Sequence, residues 1–189
     1  AFVCSVALGK SVLYYFKYVL NDEPASRTAL IGMSAIGLVS NPIWVWITKY
    51  IGKRNAWFAG TAIGIVLLTI FAVSDFRTPL VMTVWLLLWS LGTLGLSMTF
   101  WSMLPDTVEY GEWKTGERTE SFIFGLFQFF LKVALGVGAG LFGWLLERVG
   151  YVANAQQSAA TIAGIKDIMI WLPGAGFIIA GIAMIFYPI

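Results

Sequence analysis

Six apolar stretches, each about as long as a helix that crosses a bilayer, dominate this chain. They cover approximately residues 1–20, 29–48, 56–74, 79–104, 121–146 and 168–188. A helix needs about 20 mostly apolar residues to span the hydrocarbon core. The stretches do not alternate between apolar and polar residues, which argues against transmembrane strands. The sequence therefore predicts an all-α, polytopic membrane protein with six transmembrane helices.

Composition supports the membrane class and excludes several kinds of site. The chain is 59% hydrophobic and 12% charged, whereas soluble domains are about a quarter charged. With no His and a single Cys, a disulfide, a His/Cys metal centre and a His-based catalytic triad are excluded. A net charge of +2 does not indicate a nucleic-acid partner. We expect no metal in this chain and no cofactor.

The chain starts with Ala inside an apolar stretch, so we expect a fragment whose missing part lies upstream. Six spans place both ends on one side of the membrane, together with the loops 49–55 and 105–120. Those loops carry five basic residues, Lys49, Lys53, Arg54, Lys114 and Arg118, against Arg27, Arg77, Arg148 and Lys166 on the other side. The excess of positive charge favours the cytoplasm for both loops and both ends.

A short motif that occurs twice in the chain indicates two three-helix repeats. The pattern W-x-x-[KE]-x-[IV]-G closes the second span at Trp46–Gly52 and the fifth span at Trp144–Gly150. Repeats of this kind are often inverted in transporters and enclose a site near the middle of the bilayer.

Lys132 is the most unusual residue of the fifth span. It lies near mid-bilayer, where a lysine costs about 2.5–3.5 kcal/mol on insertion scales. Gln128 and the glycines 125, 136 and 143 share its stripe of the helix, and small residues let another helix approach closely. We predict that Lys132 faces the protein interior or a water-filled cavity. The alternative is a lysine that extends its side chain to the membrane surface.

Two further groups are candidates for the lining of a cavity. Lys10 and Tyr14 share one face of the first span, and Ser97 and Trp101 lie one turn apart in the fourth. Aromatic faces and hydroxyl groups suit sugar rings, which stack and form hydrogen bonds. Helix packing for Ser97 and Trp101, and a position in the interfacial belt for Tyr14, stay open as alternatives.

The charged block LPDTVEYGEWKTGERTES, residues 104–121, interrupts the apolar pattern. It holds seven of the 22 charged residues, which is the sum of 12 basic and 10 acidic ones. Within the block, Asp106, Glu109, Glu112 and Arg118 are candidates for ion pairs that form and break at the cytoplasmic face when a transporter changes state. The alternative is a solvated loop.

The sequence resembles the glycoside-pentoside-hexuronide:cation symporters, the melibiose permease-like family of the major facilitator superfamily. The resemblance covers essentially the whole chain and rests on YYFKYVL at 14–20, the basic loop KYIGKR, the block D-x-V-E-Y-G-E-W, and the lysine 20 residues after Glu112. The block and the lysine are its specific elements.

The resemblance implies a twelve-helix protein of two six-helix domains, of which this chain would be helices seven to twelve, the carboxy-terminal half. Members of the family move sugars or glycosides together with sodium or a proton by alternating access, and the acidic residues that bind the cation lie mainly in the amino-terminal domain. Lys132 matches the family's helix-eleven lysine near the cation site. Ser97 stands where the family pattern has a sugar-site tryptophan, so a galactoside preference is not implied.

Two other classes remain open from the residues alone. One is a six-helix half-transporter that acts as a homodimer. The other is a polytopic enzyme acting on a lipid-linked sugar, although without His or a buried acid pair the sequence holds no catalytic constellation for it.

Overall fold

The computed structural model describes residues 2–153 and 155–187, and the described residues form helices without a strand. The helices are α1 (Phe2–Tyr18), α2 (Glu23–Ala35), α3 (Gly37–Ile51), α4 (Lys53–Val73), α5 (Pro79–Thr115), α6 (Glu120–Arg148) and α7 (Ala159–Ile185). Together α2 and α3 form the second predicted span, with an interruption at Ile36.

Five of the described helices are long and apolar enough to cross a membrane, counting α2 and α3 as one. The remaining predicted span corresponds to α1, which has 17 described residues. Apolar side chains such as Leu38 and Val73 are 80% and 82% exposed, as expected of surfaces that face lipid rather than water. The all-helical membrane fold is confirmed.

Capping side chains and a glycine determine where several of the helices begin or end. The Asp22 side chain accepts a hydrogen bond from the Ala25 backbone N–H and caps α2, and Ser158 caps α7 in the same way through Thr161. Such caps satisfy backbone donors that the first helical turn leaves free. Gly116, with φ of 76°, ends α5 in the left-handed conformation that glycine adopts without strain.

The predicted loop 105–120 is helical for most of its length. The fifth helix continues through Pro105 and the charged residues as far as Thr115, so that 116–119 alone separate α5 from α6. Charge and a proline indicated a loop, but Glu, Tyr, Trp and Lys are all compatible with a helix that extends out of the membrane. The last span likewise begins at Ala159 rather than at 168, because Ser158 caps it and Lys166 donates from within α7 to the Ser74 carbonyl at 2.8 Å.

The core lies where α1, α4, α5 and α7 meet. Phe16, Phe71, Met82 and Leu86 are fully buried there. Helix α4 packs extensively against α5 and α7, and α1 packs against α6 and α7, whereas α6 has little contact with α5 or α7. The weak contact between α5 and α6 leaves an open space between them.

Helix α3 is held on α5 by an indole ring. The Trp44 Nε1 and Ser40 Oγ groups both donate to the Leu91 carbonyl, at 2.8 and 2.9 Å. The ring lies against Gly95, where a Cβ atom would collide with it. Glycine at this position therefore permits the close approach of the two helices.

Candidate functional site

The stripe of α6 around Lys132 is uncovered. Lys132 and Gln128 are both exposed. A Cβ atom placed on Gly125, Gly136 or Gly143 would meet nothing within 4 Å. The stripe therefore forms a smooth surface on which the described chain places no neighbouring helix.

No carboxylate of the described residues pairs with Lys132 or with Lys10, which is exposed on α1. Lys132 also lies about 200° around α6 from Phe130, which lines the space between α5 and α6. The lysine thus points away from that space. The prediction that Lys132 faces the protein interior or a water-filled cavity stays a prediction. It rests on the cost of a charge at this depth, which needs a partner or water.

Tyr14 lies in an aromatic cluster that the sequence did not predict. Its ring packs edge-to-face on Phe142 and Tyr151, with centroids 5.5 and 5.1 Å away. The Tyr18 and Tyr151 hydroxyl groups are 2.9 Å apart. Burial, and then the hydrogen bond with Tyr18, raise the pKa of Tyr151. The cluster ties the end of α1 to the segment after α6, and the structure places Tyr14 there rather than in the space between α5 and α6.

Ser97 and Trp101 both lie on the side of α5 that borders α6. Ser97 lines the space between the two helices. Trp101 is 42% exposed and packs edge-to-face on Phe127 of α6 at 5.1 Å. The two residues are thus close together, but Lys132 and Tyr14 face other directions.

Asp106 forms an ion pair within the chain. The Lys53 ammonium lies 2.8 and 2.6 Å from the two carboxylate oxygens of Asp106 and also donates to the Ser102 carbonyl at 2.9 Å. Next to it, Arg54 donates to the Ile185 carbonyl at the end of α7. These contacts join the start of α4 to α5 and α7.

The other charges of the block behave differently. Arg118 bridges Glu112 and Glu120 at 3.1 and 3.0 Å, and the Glu120 carboxylate, followed by Glu112, raises the pKa of Arg118. These exposed contacts fold the short 116–119 connection back onto α5. Glu109 is exposed and belongs to none of the ion pairs of the described residues.

The pairing of Asp106 with Lys53 was not predicted, although a signal for it was present. The charged block predicts a basic partner for Asp106 at the cytoplasmic face, and Lys53 is one of the five basic residues that indicate which face is cytoplasmic. The basic loop before α4 and the acidic block of α5 lie on the same side of the membrane, so opposite charges meet when α4 packs on α5.

We expect Asp106→Asn to lower thermal stability modestly. Loss of a half-exposed pair costs about 1 kcal/mol, which corresponds to a decrease in Tm of about 2–4 °C for a chain of this size. The matched control is Glu109→Gln, one turn along the same helix, and it should leave the Tm unchanged. The charge exchange of Lys53→Asp with Asp106→Lys should restore part of the loss in a thermal melt of detergent-solubilised protein. Equal losses in the Asp106 variant and the Glu109 control would contradict this role.

The five long apolar helices and their exposed apolar side chains define a multi-pass membrane protein. Residues 1–189 match the family model described as MFS/sugar transport protein. The chain belongs to this family, and its resemblance to the glycoside-pentoside-hexuronide:cation symporters is confirmed.

Curated relatives agree with this assignment. The chain is similar to the isoprimeverose transporter of Lactiplantibacillus pentosus, with 34% identity over 94% of the chain and 37% of the relative. It is 32% identical to the glucuronide carrier protein homolog of Escherichia coli K12 over 99% of the chain and 41% of the relative. The chain is also 34% identical to a putative sulfoquinovose importer of the same organism, over 93% of the chain and 37% of that relative. The prediction of a transport protein rather than an enzyme is confirmed, and the chain spans about two-fifths of the length of these relatives.

Proposed function

We propose that this chain is one half of a symporter that moves a sugar or glycoside together with sodium or a proton. The observation that carries the proposal is the uncovered stripe of α6, in which Lys132 stands among glycines without a carboxylate. The family and its sugar-transporting relatives support the substrate class.

The companion half is an amino-terminal six-helix domain that packs on this stripe. Glycines at 125, 136 and 143 let a helix backbone approach closely, and a carboxylate on that helix offsets the cost of the Lys132 charge. The coupling cation binds mainly to acidic residues of that domain. The lysine next to them competes with the cation for the same negative charge, which links cation binding to the conformational change.

Transport proceeds by alternating access, with the loop 49–55 and the charged end of α5 on the cytoplasmic face of the plasma membrane. The Lys53–Asp106 pair holds α4 on α5, and the hydrogen bond from Arg54 to the Ile185 carbonyl holds α4 on α7, while the two halves rotate. Glu109 lies on α5 and, like Glu117 in the connection that follows, belongs to none of the ion pairs of the described residues, so its carboxylate is available for a contact with the companion half. Glu109 acts as a gate: it forms a contact with the companion half in one state of the transport cycle and loses that contact in the other.

Uptake by the full-length protein in proteoliposomes tests the proposal. A radiolabelled glycoside from the pentoside, hexuronide and sulfosugar classes is supplied outside, with an inward gradient of sodium in one series and of protons in another. We expect one gradient to drive accumulation above equilibrium and an ionophore for that cation to abolish it. Equilibration of every sugar without accumulation in either series would contradict symport, and hydrolysis of a lipid-linked sugar would assign the protein to another class.

A further inference from the structure

Asn41 places a carboxamide group near the middle of the membrane. On α3 it lies next to Ser40, and both Ser40 Oγ and Trp44 Nε1 donate to the Leu91 carbonyl of α5. Leu91 is at the centre of the apolar stretch 79–104, so Asn41 lies close to mid-bilayer. Its side chain is partly exposed and forms no hydrogen bond with any residue that the structure describes. An amide at this depth needs a partner from elsewhere, because lipid tails offer none.

The backbone next to Asn41 adds a further acceptor. Pro42 lies inside α3 and has no N–H, so the Leu38 carbonyl lacks its regular helical donor. Freed carbonyl groups of interrupted helices near the midplane commonly take part in the binding sites of transporters. Asn41 and the Leu38 carbonyl therefore offer N–H donors and two oxygen acceptors within one turn of the helix.

The span formed by α2 and α3 runs parallel to α5. A Cβ atom on Gly32 would lie 3.0 Å from the Leu87 side chain, and the Trp44 ring lies against Gly95. Later residues of one helix thus meet later residues of the other. In a parallel pair, side chains that are rotated in opposite senses away from the contact point to the same side of the pair.

Asn41 shares a side of this helix pair with Ser97 and Trp101. Relative to the hydrogen-bonded Ser40 and Leu91, Asn41 is turned by about +100°, whereas Ser97 and Trp101 are turned by about −120° and −80°. Along α5, Ser97 and Trp101 lie about 9 and 15 Å beyond Leu91. Asn41 therefore extends the polar and aromatic lining of α5 toward the middle of the membrane.

The opposite side of α3 is apolar. Val39, Ile43 and Trp46 are all exposed and lie about 140–160° around the helix from Asn41. Aliphatic and aromatic side chains of this kind suit lipid and the membrane interface. The carboxamide group is thus turned away from the lipid-facing side of the helix.

We propose that Asn41, together with the Leu38 carbonyl, binds hydroxyl groups of the transported sugar. The inference rests on the proposed function, because it adds a contact to the same substrate. A carboxamide and a carbonyl suit sugar hydroxyls, which both donate and accept hydrogen bonds. Neither group carries a charge that would require a carboxylate of the companion half. Asn41 is therefore a specificity-determining residue, which recognises hydroxyls on the part of the sugar that lies away from Trp101.

Sugar binding by the purified full-length protein tests the role of the amide. The probes are methyl xyloside, methyl glucuronide and a methyl sulfosugar, and the one that the unmodified protein binds most tightly is used. Asn41→Ala is expected to weaken its binding by about 3–10-fold, because one or two hydrogen bonds are lost. The matched control is Ser34→Ala, seven residues earlier, whose hydroxyl already donates to the Leu30 carbonyl at 3.0 Å. The control should bind the sugar normally.

Deoxy analogues of the same sugar give a readout that a purely structural role would not move. The unmodified protein should bind one of these analogues less tightly than the parent sugar. Asn41→Ala should bind that analogue and the parent equally, because the partner of the missing hydroxyl is gone from both complexes.

Cysteine labelling tests the position of the side chain independently. Asn41→Cys and Ile43→Cys are made in a full-length background in which Cys4 and any further cysteine are replaced. A membrane-impermeant methanethiosulfonate reacts with thiols that water reaches. We expect it to label Asn41→Cys, more slowly when the sugar is present, and to leave Ile43→Cys unlabelled in the bilayer.

Unchanged affinity and unchanged discrimination in Asn41→Ala would overturn this inference while leaving the proposed function intact. A lower Tm with normal affinity would do the same and would assign Asn41 to a contact with the companion half. Labelling of Asn41→Cys that the bound sugar does not slow, or its absence, would also overturn the inference. Failure of the proposed function is distinct, because the unmodified protein would then neither bind nor accumulate any of the three sugars.

Discussion

Lys132→Leu in the full-length protein is expected to abolish most cation-driven sugar accumulation while the protein still inserts into the membrane. The variant removes a charge that lies on the uncovered stripe of α6 and pairs with no carboxylate of the described residues. If that charge couples cation binding to sugar binding, the coupling free energy lost is on the order of 1–3 kcal/mol, or about 5–150-fold in affinity. Insertion should improve, because an apolar side chain replaces a lysine at this depth.

Two measurements separate coupling from simple damage. Accumulation against a gradient should fall, whereas exchange of labelled for unlabelled sugar at equal cation concentrations should fall less. The matched control is Lys114→Leu, which removes an exposed lysine near the end of α5 and should transport normally. Accumulation by Lys132→Leu at the level of the unmodified protein would remove this lysine from the mechanism.

Gly95→Leu is expected to destabilise the fold strongly. The Trp44 ring occupies the space that any Cβ atom at this position requires, and its hydrogen bond to the Leu91 carbonyl at 2.8 Å holds the ring in place. Overpacking typically costs about 1–3 kcal/mol and occasionally more. We expect the large end of that range, a decrease in Tm of about 5–10 °C, with strongly reduced yield of monodisperse protein.

Gly111→Leu is the matched control on the same helix, because a Cβ atom there would meet nothing within 4 Å. Its yield in size-exclusion chromatography should equal that of the unmodified protein. Combining Gly95→Leu with Trp44→Ala should recover stability relative to the sum of the two single changes, since the smaller residue vacates the space. A Gly95 variant as stable as the Gly111 control would show that α3 does not depend on this contact.

The membrane spans were predictable from the sequence in number and type, but their ends and the interruption of the second span at Ile36 were not. Long apolar runs identify spans because each residue adds its own transfer free energy. The extension of α5 to Thr115 was missed because Pro105 and charged residues are read as a loop, although the residue that ends the helix is Gly116. The early start of α7 was missed because Lys166 is polar, although its ammonium is satisfied by the Ser74 carbonyl.

The candidate site was predictable in its residue types but not in their arrangement. Lys132 and its glycine stripe follow from helical spacing, which is a local property. The separation of Lys132 from Ser97 and Trp101 depends on how α6 is rotated relative to α5, and no local pattern contains that rotation.

Membrane class, helical content and the stripe that carries Lys132 were determined by the sequence alone, because hydrophobicity and helical periodicity are set by each residue and its near neighbours. Tertiary structure decided that Lys53 is the partner of Asp106, that Trp44 requires glycine at position 95, and that Ser97 lines an open space between α5 and α6. Each of these joins residues more than 40 positions apart or from several helices, and helix packing alone brings such residues together.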